Sequence, residues 1–123
     1  MDLIQNVKLI NLKIKQLDDL KDELESISIN KAKYLAEYEK KIASVLIALK
    51  NGRQFKLDEE IIINPPASIM EKISRGICWK ELLDKDGAET GYKNHLKKID
   101  IIQAQLNGFQ SINRYLRDNI EHD

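Results

Sequence analysis

LKKIDIIQAQLNGFQSINRYLRDNI, residues 96–120, is the stretch that decides the fold. Leu96, Ile99, Ile102, Leu106, Phe109, Ile112, Leu116 and Ile120 recur in steps of three and four, while Lys97, Lys98, Asp100, Arg114 and Arg117 take other positions. That is the period of an α-helix with one apolar stripe. A helix cannot bury its own stripe, so the pattern demands a partner of comparable length.

Upstream, Trp79, Leu82 and Leu83 carry the same period, so one helix is predicted from Ile77 to Ile120, with a disordered His-Asp tail after it. Its weak point is DKDGAETG, 84–91, because glycine costs up to about 1 kcal/mol in a helix interior. Continuity is expected even so, since Gly87 and Gly91 lie one turn apart, where missing side chains would let another backbone approach.

The partner is the N-terminal arm, 1–50. Val7, Ile10, Ile14 and Leu17 follow strict three and four spacing, and Leu20, Leu24 and Ile27 continue it after a one-step phase shift. The expectation is a coiled-coil-like seam with a stutter. Leu9 and Leu12 widen the stripe, and with Leu20 they invite self-association. SISINKAK, 26–33, is poorer in helix formers, and 26–31 is where a kink would fall, although no glycine or proline breaks the chain there. Leu35, Tyr38, Ile42, Val45, Leu46 and Leu49 form the next inner stripe, which Lys50 and Gly52 close.

Between the arms, 52–77 reads as a connector. Phe55 and Leu57 alternate with polar residues, Ile61 to Ile63 are β-branched, and a two-stranded ribbon reversing near Asp58 to Glu60 follows. Pro66 opens a short helix whose Ile69, Met70 and Ile73 should point inward before Gly76 stops it. The predicted fold is predominantly all-α: a single elongated domain in which 1–50 and 78–120 form an antiparallel hairpin or coiled-coil-like bundle.

The chain has 123 residues, with 20 basic and 20 acidic side chains and a net charge of zero. It is long enough to bury a core without a metal or disulfide staple. Balanced charge argues against a bulk electrostatic grip on nucleic acid. No uninterrupted run reaches the ~20 apolar residues of a bilayer span. The N terminus lacks a signal-peptide pattern, and the single Cys78 has no internal disulfide partner, so a cytoplasmic location is expected.

No catalytic, cofactor or metal signature appears. His95 and His122 lie 27 positions apart without neighbouring ligands, the glycines form no phosphate-binding loop, and Asp84, Asp86 and Glu89 read as a solvated acidic turn. The informative chemistry is the polar set Gln103, Gln105, Asn107, Gln110, Asn113 and Arg114 around Phe109, Tyr115 and Gly108. It serves either a partner or a polar seam between helices, with Asn113 placed to fix register. For a protein partner the anchors are Trp79, Tyr92, Phe109, Gln110, Arg114, Tyr115 and Arg117. For single-stranded nucleic acid they are Lys93, Lys97, Lys98 and Arg114, interrupted by Asp100 and Asp118.

YLAEYEKKIASVLIALKNG, 34–52, and KKIDIIQAQLNGFQSINRYL, 97–116, resemble small uncharacterised proteins from the early region of temperate phages of Gram-positive bacteria. The resemblance implies a context of host inhibition, or of recombination and replication, and assigns no residue a role. The expected function is a protein-binding module acting stoichiometrically on a host defence or regulatory protein, with a homodimer as the expected assembly. An accessory to phage recombination or replication that binds single-stranded nucleic acid or its machinery is the second reading, and a structural coiled-coil protein the third.

Overall fold

The computed structural model describes residues 2–122, with side chains described from Asp2 to Ile120. The chain is predominantly helical. Helix α1 spans Leu3–Lys50, strands β1 and β2 span Phe55–Leu57 and Glu60–Ile62, α2 spans Ala67–Ile77 and α3 spans Trp79–His122. By backbone proximity it divides into two compact units, Met1–Ile27 with Gly91–Asp123, and Ser28–Thr90. The two long arms run antiparallel within each, which is the predicted helical hairpin.

Helix α1 starts on a reciprocal cap. The Asp2 carboxylate accepts from the Gln5 backbone N–H at 2.8 Å, while Gln5 Oε1 accepts from the Asp2 N–H at 3.3 Å. Two backbone donors of the helix start are thereby satisfied. The helix passes through 26–33 unbroken, because weak helix formers lower propensity by tenths of a kcal/mol and provide no steric stop. Gly52 ends it at φ 80°, with Gly52 N–H donating to the Leu49 carbonyl at 3.1 Å and Arg53 N–H to that of Ala48 at 3.0 Å. This is the Schellman arrangement, and it needs a residue that tolerates the left-handed region.

In the unit made of Met1–Ile27 and Gly91–Asp123, the seam is a strict heptad. Leu3, Asn6, Ile10, Lys13, Leu17, Leu20, Leu24 and Ile27 on α1 are buried or half-buried, as are Tyr92, His95, Ile99, Ile102, Leu106, Phe109, Asn113 and Leu116 on α3. Asn6 meets Phe109 and Asn113, and Leu20 meets His95, so one chain direction rises as the other falls. The expected stutter is absent. Leu17, Leu20 and Leu24 fix the phase, and an uninterrupted helix carries it back by sevens to Lys13, Ile10, Asn6 and Leu3. Val7 and Ile14, expected inside, are 41% exposed. On α3, Asn113 takes the inner position expected of Ile112, which is 39% exposed, and Ile120 is exposed at the end of the stripe. Helix α3 continues past Ile120 to His122, so His122 does not belong to the expected disordered tail; Asp123 lies outside the described residues.

In the unit Ser28–Thr90, the core is Val45, Leu49 and Cys78, against which Tyr38, Ile42, Phe55, Ile62, Met70, Ile73 and Ile77 pack. The ribbon is antiparallel, with Phe55 opposite Ile62 and Leu57 opposite Glu60, and Asp58 turns it at φ 52°. Alternation sends Phe55 and Ile62 inward and leaves Ile61 and Ile63 exposed. Met70 and Ile73 face the core, whereas Ile69, expected inside, is 44% exposed. Gly76 does not stop α2; the helix runs to Ile77, and Cys78 alone separates it from α3. Gly76 lies against β1, where a Cβ would sit 3.4 Å from the Leu57 side chain.

Candidate functional site

The residues expected to bind a partner do not form one constellation. Tyr92 and Phe109 belong to the seam, and the Phe109 carbonyl accepts from Asn6 Nδ2 at 2.8 Å. Both residues are half-buried at inner positions of the hairpin's own seam. Trp79 is 54% exposed in the Ser28–Thr90 unit, with Lys80 Nζ 5.6 Å from its ring centre.

Gln110, Arg114 and Arg117 do come together. With Asn113 and Ile10 they line a groove of about 350 Å³ between α3 and α1. Positions 110, 114 and 117 are one helical turn apart in succession, so α3 stacks an amide and two guanidinium groups along one edge. Ile10 floors the groove from α1, and the exposed Val7 and Ile14 lie one turn to either side of it. Neither arginine has an ion-pair or hydrogen-bond partner among the described residues. Val7 and Ile14 were missed as site residues because their spacing reads equally well as core.

A second groove, of about 380 Å³, is lined by Gln16, Asp19, Leu20, Lys98, Ile101 and Ile102. Leu12 shares the α1 side of this surface at spacings of four and seven from Gln16 and Asp19. On α3, positions 98, 101, 105, 108, 112 and 115 form one stripe. Ile101 is 57%, Tyr115 65% and Leu12 49% exposed. Tyr115 and Gly108 therefore belong to this stripe, apart from the arginine edge. Gly108 faces open space on this stripe, since a Cβ there would meet nothing within 4 Å.

The lysines expected at nucleic acid are dispersed. Lys98 lines the second groove, whereas Lys93, Asp100 and Arg114 share a heptad position, so an acid interrupts the two cations along that stripe. Gln103 and Asn107 bond within the helix itself: Gln103 Nε2 donates to Asn107 Oδ1 at 3.0 Å, and Ser111 Oγ to the Asn107 carbonyl at 3.1 Å.

Cys78 is fully buried, and its thiol is pushed above its ordinary value by burial first and Glu81 second, with Lys41 opposing. A buried thiol held protonated is a packing group and a poor nucleophile. Among the described residues no group of three or more His, Cys, Asp or Glu side chains is arranged to hold a metal ion, and no helix is long and apolar enough to cross a membrane. Comparison with protein-family models, curated proteins and solved structures returns no match.

Proposed function

We propose that the protein is a stoichiometric protein-binding module, and that its binding edge is the groove of Ile10, Gln110, Asn113, Arg114 and Arg117. The observation that carries this reading is the pairing of two guanidinium groups, without a partner among the described residues, with an apolar floor and the exposed rim of Val7 and Ile14. Arginine beside desolvatable apolar surface is a composition favoured at protein interfaces. Its complement is an amphipathic segment with carboxylates for Arg114 and Arg117 and aliphatic side chains for Val7, Ile10 and Ile14.

A strand of nucleic acid fits less well, because the apolar rim has nothing to give a phosphate and Asp100 breaks the line of cations. The phage-like stretches at 34–52 and 97–116 support a host regulatory or defence protein as the target, inhibited by occlusion. Affinity capture from host-cell lysate with wild type and with the Arg114→Glu/Arg117→Glu double variant tests the proposal. A protein retained by wild type at 1:1 stoichiometry and lost by the variant supports it. Equal capture by both, or salt-dependent binding of single-stranded DNA with no protein retained, would overturn it.

A further inference from the structure

The second groove lies on the opposite flank of the same helix pair, and its chemistry is self-complementary. Its α1 wall carries Asp19 and its α3 wall carries Lys98, on either side of Leu20, Ile101 and Ile102. Neither charge has an ion-pair partner among the described residues. The Gln16 Oε1 atom in the same wall is buried without a hydrogen-bond donor. Along the flank, Leu12, Ile101, Ile112 and Tyr115 are between 39% and 65% exposed.

We infer that this flank is covered by a second copy of the chain, related by a two-fold axis parallel to the helices of the Met1–Ile27 and Gly91–Asp123 unit. Such an axis lays α1 of one copy over α3 of the other at the same height along the helices. Asp19 of each copy then faces Lys98 of the other, twice, as an isologous interface requires. Every adjacent pair among the four helices is antiparallel, the arrangement of an up-down four-helix bundle. A two-fold perpendicular to the helices would instead lay α1 on α1 and α3 on α3, setting Asp19 and Lys98 against helices of their own kind.

Area agrees with this occupant. The exposed parts of Leu12, Ile101, Ile112 and Tyr115 amount to about 400 Å², close to the apolar share of the roughly 800 Å² that each partner buries in an interface of standard size. Dimerisation leaves the arginine edge free, so this inference stands or falls independently of the proposed function.

Sedimentation equilibrium of the full chain, with circular dichroism as the folding control, tests it. Wild type sediments at twice the chain mass. Ile101→Glu, at an exposed position that should not disturb the hairpin, weakens the dimer at least ~100-fold by placing a carboxylate in the apolar interface. Asp19→Lys or Lys98→Asp alone weakens it about 10-fold, and the double exchange Asp19→Lys/Lys98→Asp restores it to within about 3-fold, because each pair is rebuilt with reversed sign. A wild-type monomer at ~100 μM, in a range where standard-size interfaces associate, would overturn the inference and leave the flank to a different chain. A dimer indifferent to a folded Ile101→Glu, or single charge reversals that the double exchange does not rescue, would overturn it as well.

Discussion

Asn6 shows how a polar residue comes to occupy a core position. It is fully buried, and its Nδ2 reaches both the Phe109 carbonyl at 2.8 Å and Asn113 Oδ1 at 3.4 Å, while its own Oδ1 has no donor. One satisfied donor against one orphaned acceptor leaves little net stabilisation. Asn6→Leu should therefore change unfolding free energy by less than about 1 kcal/mol, while Asn6→Asp, which points a carboxylate at a carbonyl, should cost about 3 kcal/mol in urea denaturation at neutral pH. His95 is a second buried polar group of the seam. Its Nε2 lies against the Leu20 carbonyl, and since a carbonyl only accepts, that nitrogen carries the proton. Cys78 adds a pH dependence. Because its folded value lies above its unfolded one, its contribution is complete below the unfolded value, near pH 9.0, and is lost as pH rises through the folded value. Thermal unfolding midpoints should fall on the alkaline side of that range, and Cys78→Ala should flatten the decline. At pH 8 a disulfide reagent should label native protein only at the rate at which it opens.

At the scale of elements, the helices and their ends were largely legible. Gly52 after Lys50 and Pro66 before ASIM mark real boundaries, because a left-handed φ and a fixed φ are local properties that a local sequence specifies. Phase was less legible. Val7 and Ile14 fit a helical period as well as Ile10 and Leu17 do, and hydrophobicity alone does not distinguish the two stripes. What places Asn6 inside is the phase carried back from Leu17, Leu20 and Leu24, and its amide then meets a carbonyl 103 residues away in sequence. The Asp2 and Gln5 cap was readable as a D-x-x-Q spacing but lacks the hydroxyl of the commoner capping box. The mid-helix glycines carry a prediction. Helix α3 continues through Gly87 and Gly91, as expected, but not for the expected reason, since a Cβ at either would meet nothing within 4 Å. No backbone among the described residues uses the space. Gly87→Ala and Gly91→Ala should each stabilise the chain by about 0.5 to 1 kcal/mol, raising the denaturation midpoint without altering its slope. Gly52→Ala should do the opposite by about 1 kcal/mol, because φ 80° strains any L side chain.

For the whole molecule, a predominantly helical fold with antiparallel arms in each unit and a small ribbon follows from periodicity and turn chemistry, whereas the candidate site follows only in part. Gln110, Arg114 and Arg117 were identified from residue type and prove to share one groove. Tyr92 and Phe109 were identified on the same grounds and prove to be seam residues, because an aromatic ring suits a core and an interface equally. The separation of α3 into two flanks, one bearing Arg114 and Arg117 and the other Ile101 and Tyr115, becomes visible only once Asn113 and not Ile112 is known to face α1. In the proposed reading the two flanks divide the roles, with the arginine flank offered to a foreign protein and the Lys98 flank to a second copy. The measurement closest to the central claim is amide hydrogen exchange on the chain saturated with its captured partner. Protection gained over 4–14 and 107–120, and absent from the ribbon and α2, is the result this account predicts. Protection centred on 55–77, with the arginine edge exchanging as in the free chain, would contradict it.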